Sequence, residues 1–274
     1  LKGLNFSCLV GGIPQACNGE FKEYFTEEKF LNINENMIYA GVAAIDAWRD
    51  AGFELPGDDA EPDWDTGAII GSGIGGMDTI VRKLVPMVSE GKVRRLGSSL
   101  VEQIMNSSTS ACVAGLLGLG NQVSSNSSAC STGNEAIIES CGRIRAGHCK
   151  RMLAGGSEGS SPFIWAGFDA MKVLCRKYND RPQEASRPLS ASAAGFVPGS
   201  GAGVLVLEEM ESALERGARI YAEIIGGAVN CGGQRQGGTM TAPNPAGVAR
   251  CIKGALRDAG IGRASCRERV WTVV

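Results

Sequence analysis

The sequence predicts an α/β fold, and three observations carry that prediction. Short apolar runs such as 66–71 (TGAIIG) and 201–208 (GAGVLVLE) read as strands. Segments with helical spacing of apolar residues alternate with them. Glycine, at 39 of 274 residues, marks tight turns and close backbone approaches, since its usual share is only about 7%.

Taken in order, 36–51 reads as an amphipathic helix, with Ile38, Val42, Ile45 and Trp48 on one face and Gly52 as its stop. The acidic, turn-rich stretch 57–65 is a surface loop. The strand 66–71 runs into Gly71-Ser72-Gly73-Ile74-Gly75-Gly76, and 77–88 returns to helical period. The small-residue stretch 98–117 is predicted helical, broken at Gly115, and 122–127 is a polar strand. At Ala129-Cys130-Ser131-Thr132-Gly133-Asn134 a helix opens and runs to about 146. Its predicted buried face is Ile137, Cys141 and Ile144, and Gly147 is its stop. Residues 151–154 form a strand ending in Gly155-Gly156, and 201–208 is a strongly apolar one. A helical turn or two at 210–216, a strand at 220–225 and a helix at 246–259 complete the pattern.

Hydrophobic residues at 43% and charged residues at 20% support a sizeable core and exclude a disordered chain. A net charge of −2 argues against a general nucleic-acid binder. No apolar run approaches the ~18–20 residues of a membrane span. Ten cysteines form no C-x-x-C pair and His148 is the single histidine, which argues against a zinc site. No signal peptide opens the chain, so a cytoplasmic setting with free thiols is expected. The chain starts at Leu1, and 261–274 (IGRASCRERVWTVV) changes character. That tail resembles translated read-through of a sequencing adapter and is set aside from fold reasoning, so the gene product is expected to be cut short at about Gly260.

Two motifs bear on chemistry. Gly71 to Gly76 satisfies G-x-G-x-x-G after a strand, the pattern that sets a dinucleotide pyrophosphate on a helix N-terminus. The acid that would bind ribose about 20 residues later is missing: Glu90 sits in a polar Ser-Glu-Gly-Lys segment, not at a strand end. Tight packing of the turn is therefore favoured over a nucleotide-binding dehydrogenase. The second motif is Cys130, set between a strand and a helix start, where backbone N–H groups and the helix dipole favour a thiolate nucleophile. Small neighbours Ser128, Ala129, Ser131 and Gly133 let a substrate approach. Taken alone, a cysteine is more often a buried small hydrophobe.

The context of Cys130 resembles a known family. Residues 129–134 (ACSTGN), Arg145-Ala146-Gly147, 152–158 (MLAGGSE), Ala185-Ser186-Arg187-Pro188, Gly195-Phe196-Val197 and 199–208 (GSGAGVLVLE) occur in order. Together with 71–76 they resemble the β-ketoacyl-acyl-carrier-protein synthases, condensing enzymes of the elongating, long-chain type, over roughly residues 20–260. The resemblance implies a thiolase-like layered α-β-α-β-α fold, of which this chain holds the N-terminal half (1–218) and the beginning of the C-terminal half (219–260), with 261–274 a non-native tail. It implies acyl transfer to Cys130, whose own amide helps form the oxyanion hole, then decarboxylative Claisen condensation with malonyl-carrier protein. It places Ile74, Phe168 and Ala129 in the acyl pocket, and Lys172 and Thr241 against an acidic acyl carrier protein. No cofactor or metal is implied, and the partners are the carrier and its acyl and malonyl thioesters. The family pairs the strand at 122–127 across a two-fold axis, so a homodimer is expected of the full-length form.

The chain also departs from the family. The two catalytic histidines, a lysine of the catalytic region and the glycine-rich gating loop fall beyond its last residue, so the chain itself is expected to be inactive in condensation. His148 matches neither histidine and reads as a surface residue. Ser190, Ala193, Ala194 and Ser200 stand where the family carries charged residues. This leaves open a polyketide- or pigment-type ketosynthase, or a non-catalytic partner subunit like a chain-length factor. The presence of Cys130 favours the enzyme over the partner subunit.

Overall fold

A computed structural model of the protein describes residues 1–14 and 23–262. Cys17, Cys266 and nearly all of the tail at 261–274 lie outside the described residues. The chain divides into two compact units, Leu1–Ala218 and Arg219–Val274.

The first unit is built on a four-stranded sheet of order β2-β1-β3-β4. Its strands are β1 (Thr66–Gly71), β2 (Val123–Ser124), β3 (Arg151–Glu158) and β4 (Gly201–Glu208). β1 pairs in parallel with β2 and β3, and β4 runs antiparallel to β3, with Arg151 opposite Glu208 and Glu158 opposite Gly201. A short helix, α1 (Glu27–Leu31), and a long one, α2 (Glu35–Asp50), precede the sheet, α2 being capped by the Asn34 side chain, which accepts the Met37 amide at 3.1 Å. After β1, α3 (Met77–Thr79) passes through a π-helical turn, Ile80–Leu84, into α4 (Val85–Ser89). Then come α5 (Leu100–Ile104), α6 (Ser108–Leu117), α7 (Thr132–Arg145), α8 (Pro162–Ala170) and α9 (Met210–Glu215).

The sheet is covered on both faces, which is why β1 reads as a continuous apolar run with every residue buried. On one face Ala68, Ile70 and Leu153 meet Ala40, Ala44, Ile45 and Trp48 of α2 and Val113 and Leu117 of α6. On the other, Ile69 and Met152 meet Ala136 of α7 and Cys149. Alternate residues of one strand thus serve opposite layers. Phe53 stacks on Trp48 with ring centroids 4.4 Å apart and carries the guanidinium groups of Arg216 and Arg151 at 4.3 and 5.0 Å.

The second unit holds α10 (Pro245–Asp258), capped by the Asn244 side chain, which accepts the Ala246 amide at 3.0 Å. The Cys251 thiol donates to the Ala228 carbonyl at 3.2 Å, and the Gly227 amide donates to Asp258 at 2.9 Å.

Three sequence expectations need correction. Residues 220–225 are not a strand: among the described residues they join no sheet, the four strands being β1 to β4. Their β-branched and aromatic content is a preference, and only a partner turns it into a strand. The stretch 98–117 breaks at Met105 to Ser107 rather than at Gly115, where open space surrounds the helix. The break lets Asn106 reach the glycine turn, accepting the Gly75 amide at 2.9 Å. Finally, the buried face of α7 is Thr132, Ala136 and Ser140, with Ile137, Cys141 and Ile144 only half-buried. The helix lies against the glycines of β1 and β3, and that close approach selects its smallest residues.

Candidate active site

β1 and β3 run parallel, so their C-terminal ends open on the same edge of the sheet, and α7 begins there. Three glycines allow the approach. A Cβ on Gly71 would overlap the Thr132 methyl group, and one on Gly156 would lie 3.5 Å from the Gly133 Cα. Cys130 is the middle residue of a 3₁₀ turn, Ala129–Ser131, that leads into α7. Its side chain is exposed, and its amide belongs to the first turn of a helix, whose N–H groups lack intrahelical partners.

The turn before Cys130 is held by side chains. Asn126 donates from Nδ2 to the Thr132 carbonyl at 2.8 Å. The Ser128 amide donates to Thr132 Oγ1 at 2.9 Å, and that hydroxyl donates to the Ala129 carbonyl at 2.6 Å. Ala129 adopts the left-handed region at φ 52°, a conformation that costs a residue with a Cβ about 1–2 kcal/mol.

This turn is stitched to the glycine turn after β1. The Ser72 amide donates to the Asn126 carbonyl at 3.3 Å, and the Ser127 hydroxyl donates to the Gly73 carbonyl at 3.3 Å. Glu158, the last residue of β3, accepts the amides of Gly73 and Ile74. Burial pushes its carboxyl above the ordinary value, and the two amides pull against that without cancelling it. A carboxylate thus occupies amides that a pyrophosphate would need, so the G-x-G-x-x-G turn is a packing device here. Gly75 and Gly76 fit against 103–106 for the same reason.

Behind the site, Glu35 of α2 accepts the Ser160 amide and hydroxyl, both at 2.7 Å, and the Tyr39 hydroxyl at 2.8 Å. Burial and the Glu35 carboxylate push the Tyr39 hydroxyl up to about 12. Ser157 donates to the Asn36 carbonyl at 2.8 Å, and Asn36 donates to Ser72 at 3.1 Å. The loop after β3 is therefore fixed to α2.

Of the residues singled out from sequence, Ala129, Cys130 and Ile74 gather at this edge. Ile74 is exposed and follows Gly73, whose added Cβ would lie 4.0 Å from the Ala129 Cα. Phe168 packs half-buried on α8 against the cluster of Cys8, Leu174, Cys175 and Tyr178. Lys172 is exposed just after α8 in a left-handed conformation, φ 60°. Thr241 lies in the second unit, where its amide donates to Thr239 Oγ1 at 3.3 Å. His148 is exposed beyond the far end of α7, whose 14 residues separate it from Cys130 by about 20 Å at a 1.5 Å rise per residue.

Sequence reasoning missed the roles of Thr132 and Glu158, which lie inside the quoted motifs, and missed Glu35, which lies in none; the partners of the two acids are 85 and 125 residues away. It also missed the basic segment Lys92, Arg94 and Arg95, which lines a shallow exposed hollow. Among the described residues no group of His, Cys, Asp and Glu is placed to hold a metal, and no helix is long and apolar enough to cross a membrane.

Comparison with known proteins agrees with this geometry. The family described as "Beta-ketoacyl synthase, N-terminal domain" matches residues 16–213. The chain is 37% identical over 259 residues to the chloroplastic 3-oxoacyl-[acyl-carrier-protein] synthase I of Arabidopsis thaliana, covering 90% of this chain and 53% of that protein. It is similar to a crystal structure of a beta-ketoacyl synthase from Burkholderia phymatum, with a TM-score of 0.81, 32% identity, and coverage of 93% of this chain and 60% of that one. It is also similar to a type II polyketide ketosynthase in complex with its acyl-carrier protein and bound to a hexaketide, with a TM-score of 0.76, 29% identity, and coverage of 95% and 61%. The chain spans between half and two thirds of the length of the relatives it matches. The family match at residues 16–213 falls in the three-layered first unit, whose α/β architecture matches the N-terminal half of the ketosynthases, a thiolase-like fold.

Proposed function

The chain belongs to the beta-ketoacyl synthase family, and from that premise we propose that Cys130 is the acyl acceptor of a 3-oxoacyl-[acyl-carrier-protein] synthase. The observation that carries this reading is the exposed Cys130 on a left-handed turn at the start of α7, beside the C-terminal ends of β1 and β3. The thiolate attacks the acyl thioester carbonyl, and the oxyanion of the tetrahedral intermediate is met by the Cys130 amide. Collapse breaks the bond to the carrier's thiol, which leaves and takes up a proton, and the acyl group stays on Sγ. Ala129 and Ile74 line the acyl path beside Cys130, and Phe168, assigned to it by the family resemblance, packs against the cluster of Cys8 and Leu174.

Condensation with malonyl-carrier protein belongs to the whole protein. It calls for groups that polarise the malonyl carbonyl, and His148 stands too far from Cys130 to be one. The partner is an acidic carrier protein, met on the first unit by Lys172 and the exposed Lys92, Arg94 and Arg95, whose positive charge steers such a partner, while Thr241 is a separate contact on the second unit. Eight free cysteines among the described residues fit a reducing compartment such as the cytoplasm.

The test is to incubate the protein with an acyl-carrier-protein thioester and map the adduct by mass. Acylation of the Cys130 peptide, lost in Cys130→Ala, is the expected result; an adduct elsewhere, or none, refutes it. A second reading, a polyketide-type ketosynthase, is favoured by the uncharged Ser190, Ala193, Ala194 and Ser200 and by the similarity to the polyketide complex. Faster acylation from polyoxoacyl than from saturated acyl donors would select it.

A further inference from the structure

Thr132 is 5% exposed at the first turn of α7, and its side chain touches the chain on both sides of Ala129. Oγ1 accepts the Ser128 amide at 2.9 Å and donates to the Ala129 carbonyl at 2.6 Å. The one proton and one lone pair of the hydroxyl are therefore engaged across a single residue, the one whose φ of 52° is disfavoured for a residue with a Cβ. The methyl group is used too: it fills the space over Gly71, at the end of β1. Asn126 adds a third tie, to the Thr132 carbonyl. The residue that follows Ala129 is the exposed Cys130.

We propose that Thr132 is a positioning residue whose hydroxyl clamps the left-handed turn at Ala129 and so presents the Cys130 thiol at the surface. A strained conformation persists only where its surroundings over-determine it, and here two hydrogen bonds to one side-chain oxygen add to the backbone bonds of the 3₁₀ turn. With the hydroxyl removed, the Ser128 amide loses its partner, and only the backbone bonds of the 3₁₀ turn, from the Ser131 amide to the Ser128 carbonyl at 3.2 Å and from the Thr132 amide to the Ala129 carbonyl, still oppose the relaxation of Ala129 to negative φ. The thiol then loses its fixed exit. The inference rests on the reading of Cys130 as the acyl acceptor, but its readout does not: alkylation by iodoacetamide requires neither acyl pocket nor carrier.

The experiment compares alkylation of Cys130 in the wild type, Thr132→Val, Thr132→Ser and the pair Thr132→Val with Ala129→Gly. The exposed Cys231 of the second unit serves as the internal reference, and a cooperative thermal melt checks folding. T132V is expected to slow Cys130 about tenfold relative to Cys231, a modest displacement by the standard of reacting groups. T132S, which keeps the hydroxyl, should stay within about twofold of the wild type, since the clamp is the hydrogen-bonding group. Ala129→Gly removes the cost of positive φ and should recover most of the rate lost in T132V. A merely structural role predicts no such rescue. Should T132V fail to melt cooperatively, Thr132→Ala is read in its place with the same expectations. Unchanged alkylation in T132V, or a loss that Ala129→Gly leaves in full, overturns the proposal. The alkylation pattern as expected, with no acyl transfer to Cys130 in the wild type, would instead tell against the acyl-acceptor reading alone.

Discussion

The carboxylate of Glu158 accepts the backbone amide of Gly73, joining the end of β3 to the turn that follows β1. Burial raises its pKa, so the folded state binds this proton more tightly than the unfolded one. The associated stability is fully present below the ordinary carboxyl value and declines as pH rises through the folded value. Glu158→Gln, neutral and still an acceptor, should flatten that decline. Glu158→Ala leaves two amides unpaired and should cost about 1–3 kcal/mol. Denaturant melts of the three proteins between pH 4 and pH 8 check both; a parallel pH dependence in wild type and E158Q would contradict the first.

Thiol reactivity should follow exposure. Cys130 and Cys231 are exposed, whereas Cys8, Cys149 and Cys175 are buried. Burial, with Glu102 nearby, pushes the Cys112 thiol up to about 12, and burial also raises Cys8 and Cys149. One equivalent of iodoacetamide is expected to label Cys130 first and to leave Cys8, Cys112 and Cys149 untouched. Peptide mapping reads the order, and first labelling at Cys141 or Cys251 would sink the assignment.

At the other end of the sheet, Arg216 donates to both oxygens of Glu208, from Nε at 3.0 and 2.9 Å and from Nη2 at 2.6 Å. Arg151 adds a second guanidinium at 3.5 Å. Burial alone would raise the Glu208 carboxyl, but Arg216, Ser212 and Arg151 outweigh it and the net shift is downward. Its stability is therefore present above the unfolded carboxyl value and is lost as pH falls through the lowered folded value. Arg216→Met should cost about 1–3 kcal/mol at pH 7, the worth of hydrogen bonds to a charged group. The difference from wild type should shrink once Glu208 is protonated in both proteins, as urea melts at pH 7 and pH 3 would show.

Two glycines should answer alanine in opposite senses. At Gly71 a methyl group overlaps Thr132 and Asn126, so Gly71→Ala should cost about 1–3 kcal/mol through overpacking and slow alkylation of Cys130 with it. Gly142 lies inside α7 with nothing within 4 Å of an added Cβ, so Gly142→Ala should stabilise by about 0.5–1 kcal/mol. Thermal melts of both variants decide, and a stabilising G71A would mean the strand end and helix start can part.

What was legible in the sequence was what adjacent residues decide among themselves. β1 and β4 were readable to their ends because each is an apolar run stopped by a glycine or an acid. The helix α2 was readable from its spacing of apolar residues, and the family's ordered motifs pointed to Cys130. What only the tertiary structure decided involves partners far apart in the chain. Residues 220–225 have a strand's composition but join no sheet among the described residues. The face of α7 that is buried was set by the glycines of β1 and β3, which reward Thr132, Ala136 and Ser140 over the larger Ile137 and Ile144. The clamp on Ala129 and the seat of Glu158 on Gly73 likewise appear only when the ends of β1, β3 and α7 converge. Periodicity and turn chemistry are local and survive in a bare sequence, whereas hydrogen-bond partners and packing distances are set by long-range contacts that exist only once the chain has folded.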